Sequence, residues 1–83
     1  MSNVETDAIA VLKILGSPDM SVKYVIVASK ALRQGIKTER VNAALAYLAE
    51  LEWIQEAPLD GIELTEAGRK EAKHRGFSRL GKA

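Results

Sequence analysis

Cysteine is absent from this 83-residue chain, which also holds only one histidine, one tryptophan, one phenylalanine, two tyrosines and two prolines. Without cysteine neither a disulfide framework nor a thiolate metal site is available, and the redox compartment stays open. A single histidine, His74, in a basic stretch leaves no partner set for a charge-relay triad or for thiol catalysis. No glycine-rich loop has phosphate-cradling spacing. Glu71 and His74 stand at i, i+3 on one helical face, a spacing that some carboxylate metal sites use, but nothing else completes a shell. No apolar run approaches the ~18 residues of a membrane span. The start Met1-Ser2-Asn3-Val4-Glu5 lacks the basic and apolar stretches of a signal peptide. These absences predict a cytoplasmic protein that is not an enzyme, carries no cofactor or metal, and has no membrane partner.

An apolar fraction of 47% is enough for an ordinary globular core. A chain of this length forms one domain and buries only about 60–65% of its unfolded surface. The net charge is +1, but it is unevenly distributed. Residues 37–66 set Lys37 and Arg40 against seven carboxylates, a net −5, whereas residues 67–83 set six bases against Glu71, a net +5. That asymmetry bears on partners more than the total does.

Asn3 is placed to cap a first helix, with Glu5 and Asp7 in its first turn and Ala8, Ile9, Val11, Leu12 and Leu15 forming a broad apolar face. Gly16 supplies its stop, and Ser17-Pro18-Asp19 is turn chemistry. Ser21 is a candidate cap for a second helix running to about Arg33. Its β-branched start leaves a strand over Val22–Ala28 as the alternative, with helix favoured by Ser29-Lys30-Ala31-Leu32-Arg33. After Gly35-Ile36 the apolar positions Val41, Ala44, Leu45 and Leu48 have helical spacing, which predicts a third helix from near Thr38. Asp60-Gly61 is a two-residue hairpin signal that would pair Leu59 with Ile62 and Ala57 with Leu64. Thr65 then caps a last helix, with Glu66 in its first turn. Residues 1–76 form the domain, and 77–83, with weak periodicity and two glycines, a tail.

The order of turn, helix, hairpin and helix resembles the second half of a winged helix-turn-helix domain. Two pieces carry the likeness: Gly35-Ile36 with Val41 and the Leu45, Leu48, Leu51 run, and Ile54 followed by Leu64-Thr65-Glu66-Ala67-Gly68. The second piece is similar to the wing of small bacterial and archaeal regulators, including MarR-like and PadR-like groups. Ala31 fits the family's turn. Gln34 stands where a leucine is usual, and Lys37 where a serine often caps, leaving Thr38 as the substitute cap. The resemblance implies an α+β winged helix-turn-helix fold of three helices, a two-stranded wing and a C-terminal helix.

It also implies binding to double-stranded DNA, as a small transcription regulator reading the major groove with the third helix. With Val41, Leu45 and Leu48 inward, Glu39, Ala43, Ala46 and Glu50 point out, with Asn42 and Tyr47 on the shoulders. Arg40 would read guanine, Asn42 adenine and Ala43 a thymine methyl, beside Thr38 and Tyr47. Phosphate contact would fall to Lys30, Lys37, Arg69, Lys70, Lys73 and Arg75. A helix-and-wing unit of −5 opposes this, as does a wing tip without lysine or arginine. The rival is a protein-interaction module using the Ala43, Ala46 and Tyr47 face, with Trp53 and Leu59 as additions to it and Glu39, Glu50 and Glu56 as its fringe. Trp53 is expected in the core at the helix-to-wing junction. A homodimer is expected through the first helix, whose apolar surface exceeds one core face, with help from the last helix.

Overall fold

The computed structural model describes residues 3–16 and 21–77; the Ser17-Pro18-Asp19 turn and residues 78–83 lie outside them. Among the described residues the protein is an α+β domain of four helices and a three-stranded antiparallel sheet. The order is α1 (Val4–Gly16), β1 (Val22–Lys23), α2 (Tyr24–Arg33), α3 (Thr38–Glu50), β2 (Ile54–Ala57), β3 (Gly61–Leu64) and α4 (Glu66–His74).

Helix α1 is the centre of the core. Asn3 Oδ1 accepts from the Glu5 and Thr6 amides, so the expected cap is formed. Ala8, Val11, Leu12, Ile14 and Leu15 are all buried, and α1 packs against α2, α3, α4 and β3. Its apolar breadth is therefore used inside the monomer. Of the aliphatics expected to form a dimer seam there, only Ile9 stays half-buried. Gly16 ends the helix against Ala72, whose Cβ would lie 3.1 Å from an added Cβ.

The second segment splits where a single helix was expected. Val22 and Lys23 form β1 and pair with Ile62 and Gly61 of β3. Lys23, not Ser21, is the N-cap residue of α2, and it makes no side-chain cap. The Tyr24 amide instead donates to Asp60 O at 3.0 Å, so the hairpin tip satisfies part of this helix start. The sheet thus gains a third strand that two residues of sequence do not announce.

The connection to α3 behaves as its glycine suggests. Gly35 has φ +85°, and the Gly35 and Ile36 amides return to Leu32 O and Ala31 O. This paired closure caps α2 with the left-handed residue just beyond it. Helix α3 then starts with Lys37 as its N-cap residue and no side-chain cap, so Thr38 does not take that role. Val41, Ala44 and Leu48 are its buried residues, while Leu45 is half-buried. The helix is thus turned slightly from the expected setting, with Ala44 inward and Leu45 on the shoulder. Glu52 adopts φ +61° at its C-terminal end, with the Glu52 and Trp53 amides returning to Ala49 O and Leu48 O.

The hairpin register also differs from expectation. Ile54 pairs with Leu64, Glu56 with Ile62 and Ala57 with Gly61. The residues of positive φ at the tip are Leu59 and Asp60, at 61° and 60°, and the Gly61 amide donates to Pro58 O. Gly61 serves close approach instead of unusual φ: an added Cβ would lie 3.2 Å from Ala57 Cβ and 3.1 Å from Pro58 O.

Thr65 joins three elements. Its hydroxyl oxygen accepts from the Gly68 amide to cap α4 and donates to Glu52 O at the end of α3. Its amide donates to Trp53 O. Gly68 sits so near this strand entry that an added Cβ would fall 1.9 Å from Trp53 O. Trp53 is half-buried and packs against the core, as expected. Phe77, assigned by sequence to the tail, also packs there. Its amide closes α4 onto Ala72 O, and Lys13 Nζ lies 6.0 Å from the centre of its ring.

Candidate functional site

Two of the three side chains expected to read bases, Arg40 and Asn42, are tied up within the chain. Arg40 makes a two-pronged contact with Asp7 of α1, Nη2 to Oδ1 at 2.6 Å and Nε to Oδ2 at 2.9 Å. Asp7 is the one buried charged residue among those described, at 4% exposure. A buried carboxylate needs a partner, and a guanidinium fork fits both its oxygens. Asp7 in turn holds the Arg40 guanidinium above its ordinary pKa, through hydrogen bonding first and charge second. Arg40 therefore pins the start of α3 to α1, although the two residues stand 33 apart in sequence. Asn42 Oδ1 accepts from Tyr24 Oη at 2.5 Å, which links α3 to the start of α2.

The other expected contacts scatter. Lys30, Lys37, Thr38, Ala43 and Ala46 are exposed, and Tyr47 is half-buried against the core. On α4, Arg75 Nε meets Glu71 Oε2 at 2.6 Å, and Lys70 lies 3.8 Å from Glu66. Arg69 and Lys73 are exposed on the same helix. Glu71 is committed to Arg75, so it and His74 are not a free ligand pair; no metal-holding cluster occurs among the described residues. Among those residues, too, no helix is long and apolar enough to cross a membrane.

What the structure brings together is a cleft that sequence reasoning did not locate. Its volume is about 680 Å³, and it opens between the hairpin, the second half of α3 and the start of α2. The geometry follows from strand alternation. Ile54 and Leu64 form a cross-strand pair that closes onto the core, both buried. The next pair on that face, Glu56 with Ile62, lies nearer the hairpin tip and reaches the cleft. Leu45, Ala46 and Ala49 form the opposite wall, with Val25 and Leu59 at its ends. Val25 is 66% exposed and Leu59 82%. Glu56 and Asp60 edge the cleft against one base, Lys23.

Of the small, flat helical face expected from sequence, only Ala46 lines the cleft; Ala43 and Tyr47 lie outside it. Leu59 was legible as an addition to that face, whereas Val25 was read only as part of the apolar content of the second segment. Neither a protein-family model, nor a curated protein sequence, nor a solved structure matches the chain.

Proposed function

We propose that this chain is a winged-helix protein-interaction module whose cleft docks an amphipathic helix bearing basic residues. The observation that carries the reading is the cleft itself, apolar on both walls and edged by Glu56 and Asp60. Helices bind such grooves through side chains at i, i+3, i+4 and i+7. Exposed apolar groups this close together mark binding surfaces in soluble domains. The order of helices and hairpin, the Thr65 cap and the Gly68 contact support the winged-helix assignment. Arg40 and Asn42, held by Asp7 and Tyr24, support docking over base reading.

The test is an amide chemical-shift titration with a synthetic helical peptide that carries leucines at those spacings and lysines on its flanks. Shifts should concentrate on Val25, Ala46, Ala49, Leu59 and Ile62, and the same peptide with glutamates for lysines should bind weakly. Shifts spread away from the cleft, or none, would reject the reading.

One observation favours a second reading, duplex DNA binding: Lys30, Lys37 and Lys73 are exposed and have no ion-pair partner among the described residues. In that reading these lysines meet phosphates. Binding to random duplex DNA would fall steeply with salt, and Lys37→Gln with Lys73→Gln would reduce the slope by about one unit each. No duplex binding at low salt would remove this reading.

A further inference from the structure

Helix α2 carries a second unpartnered apolar surface, opposite in charge to the cleft. At about 100° per residue, Val25, Ser29 and Leu32 form its outward line, with Ile26, Lys30 and Arg33 along one flank. Val25, Ile26 and Leu32 are 66%, 43% and 61% exposed, and Ser29, Lys30 and Arg33 are exposed too. Only Val27 and Ala31 of this helix are buried. The stripe is an apolar helix face with a basic edge, which is the ligand class assigned above to the cleft.

The two surfaces are continuous, because Val25 belongs to both. A two-fold axis near Val25 would lay α2 of each copy into the cleft of the other. Such an interface uses the same patch on both copies and closes on itself. It would bury Leu32 and Leu59 and set Lys30 and Arg33 opposite Glu56 and Asp60. We infer that the occupant of the cleft is α2 of a second copy of this chain, so that the module pairs with itself through α2. This rests on reading the cleft as a helix-docking surface.

Charge reversal tests it. Sedimentation equilibrium on the full chain should show a monomer–dimer equilibrium. Lys30→Glu with Arg33→Glu makes the α2 flank acidic, and Glu56→Lys with Asp60→Lys makes the cleft edge basic. Each double variant places like charges opposite one another in its own dimer, so each should weaken self-association at least about 100-fold. Mixed in equal amounts, the two should form a heterodimer, because both symmetric contacts then join opposite charges. Circular dichroism confirms that each variant is folded before mixing.

Three outcomes overturn the inference: a wild type that stays monomeric up to about 1 mM, folded variants that dimerise as well as wild type, and folded variants that both fail to dimerise and fail to rescue each other. A monomeric wild type that still binds the lysine-flanked peptide in its cleft would reject self-pairing alone. A wild type that neither dimerises nor binds that peptide would reject the docking surface as well.

Discussion

Helices α1 and α2 are alike in apolar content and opposite in fate. Over Val4–Gly16 every large aliphatic side chain is buried except half-buried Val4 and Ile9, and even Asp7 is drawn in with a partner. Over Tyr24–Arg33 only Val27 and Ala31 are buried, and three large aliphatics stay in water. The cause is position. Helix α1 is covered by α2, α3, α4 and β3, whereas α2 lies at the periphery, covered on one side by α1 and α3. Apolar content thus indicates how much surface a helix offers for burial, and the topology decides how much of that offer is taken up within one chain. The remainder on α2 is left exposed.

The largest effect that sharpens this contrast is a cavity in α1. Leu12 is fully buried, and Leu12→Ala should cost about 2–5 kcal/mol through lost transfer energy and the void left behind. Urea unfolding would measure it. A cost below about 1 kcal/mol would mean that α1 is not the packed centre.

The polar anchor of α1 comes next, and its test is an order of stabilities. Arg40→Ala strands a buried carboxylate, whereas Asp7→Ala with Arg40→Ala removes both charges. The single variant should therefore melt below the double variant. If it does not, Asp7 finds water or another donor and the pair is not what holds α3 to α1. The arginine's folded pKa is raised, so its share of the stability is complete wherever unfolded arginine is charged and is lost only in strong alkali.

Caps give a smaller contrast between the same helices. Asn3→Ala should destabilise by about 1 kcal/mol, since the side chain accepts from two first-turn amides of α1. Helix α2 has no side-chain cap, and Lys23 already has the extended backbone of a cap residue. Lys23→Ser should therefore stabilise, by about 0.5 kcal/mol. A loss would mean that the lysine contributes to the pairing of β1 with β3.

Local chemistry made much of the fold legible. Asn3, Gly35 and Thr65 act as single residues whose bonding or φ preferences fix an element end, and each is where its type suggested. How little space Trp53 leaves Gly68 was not legible. What escaped was long-range. Two residues make strand β1 only because Ile62 and Gly61 lie beside them. The hairpin turn moved to Leu59-Asp60 because Gly61 is needed inside the strand, against Ala57. The Arg40–Asp7 pair spans α1 and α3, so Arg40 read alone was a base-reading candidate at the start of a helix. The cleft needs three segments at once, and no window of sequence contains it.

The smallest expected effect is the most direct probe of the unburied helix. Leu32 has the same side chain as Leu12, but at 61% exposure it contributes little to the core. Truncating it removes few contacts within the chain, and alanine is a slightly better helix former than leucine. Leu32→Ala, measured at low micromolar concentration, should therefore change unfolding free energy by no more than about 0.5 kcal/mol. The same two leucine-to-alanine changes, one helix apart, would then differ several-fold in cost for reasons of burial alone. A loss at Leu32 approaching that at Leu12, and independent of protein concentration, would mean that α2 is packed inside the monomer. A loss that appears only as concentration rises would instead report mass action, with Leu32 buried by a second copy and stability tied to association.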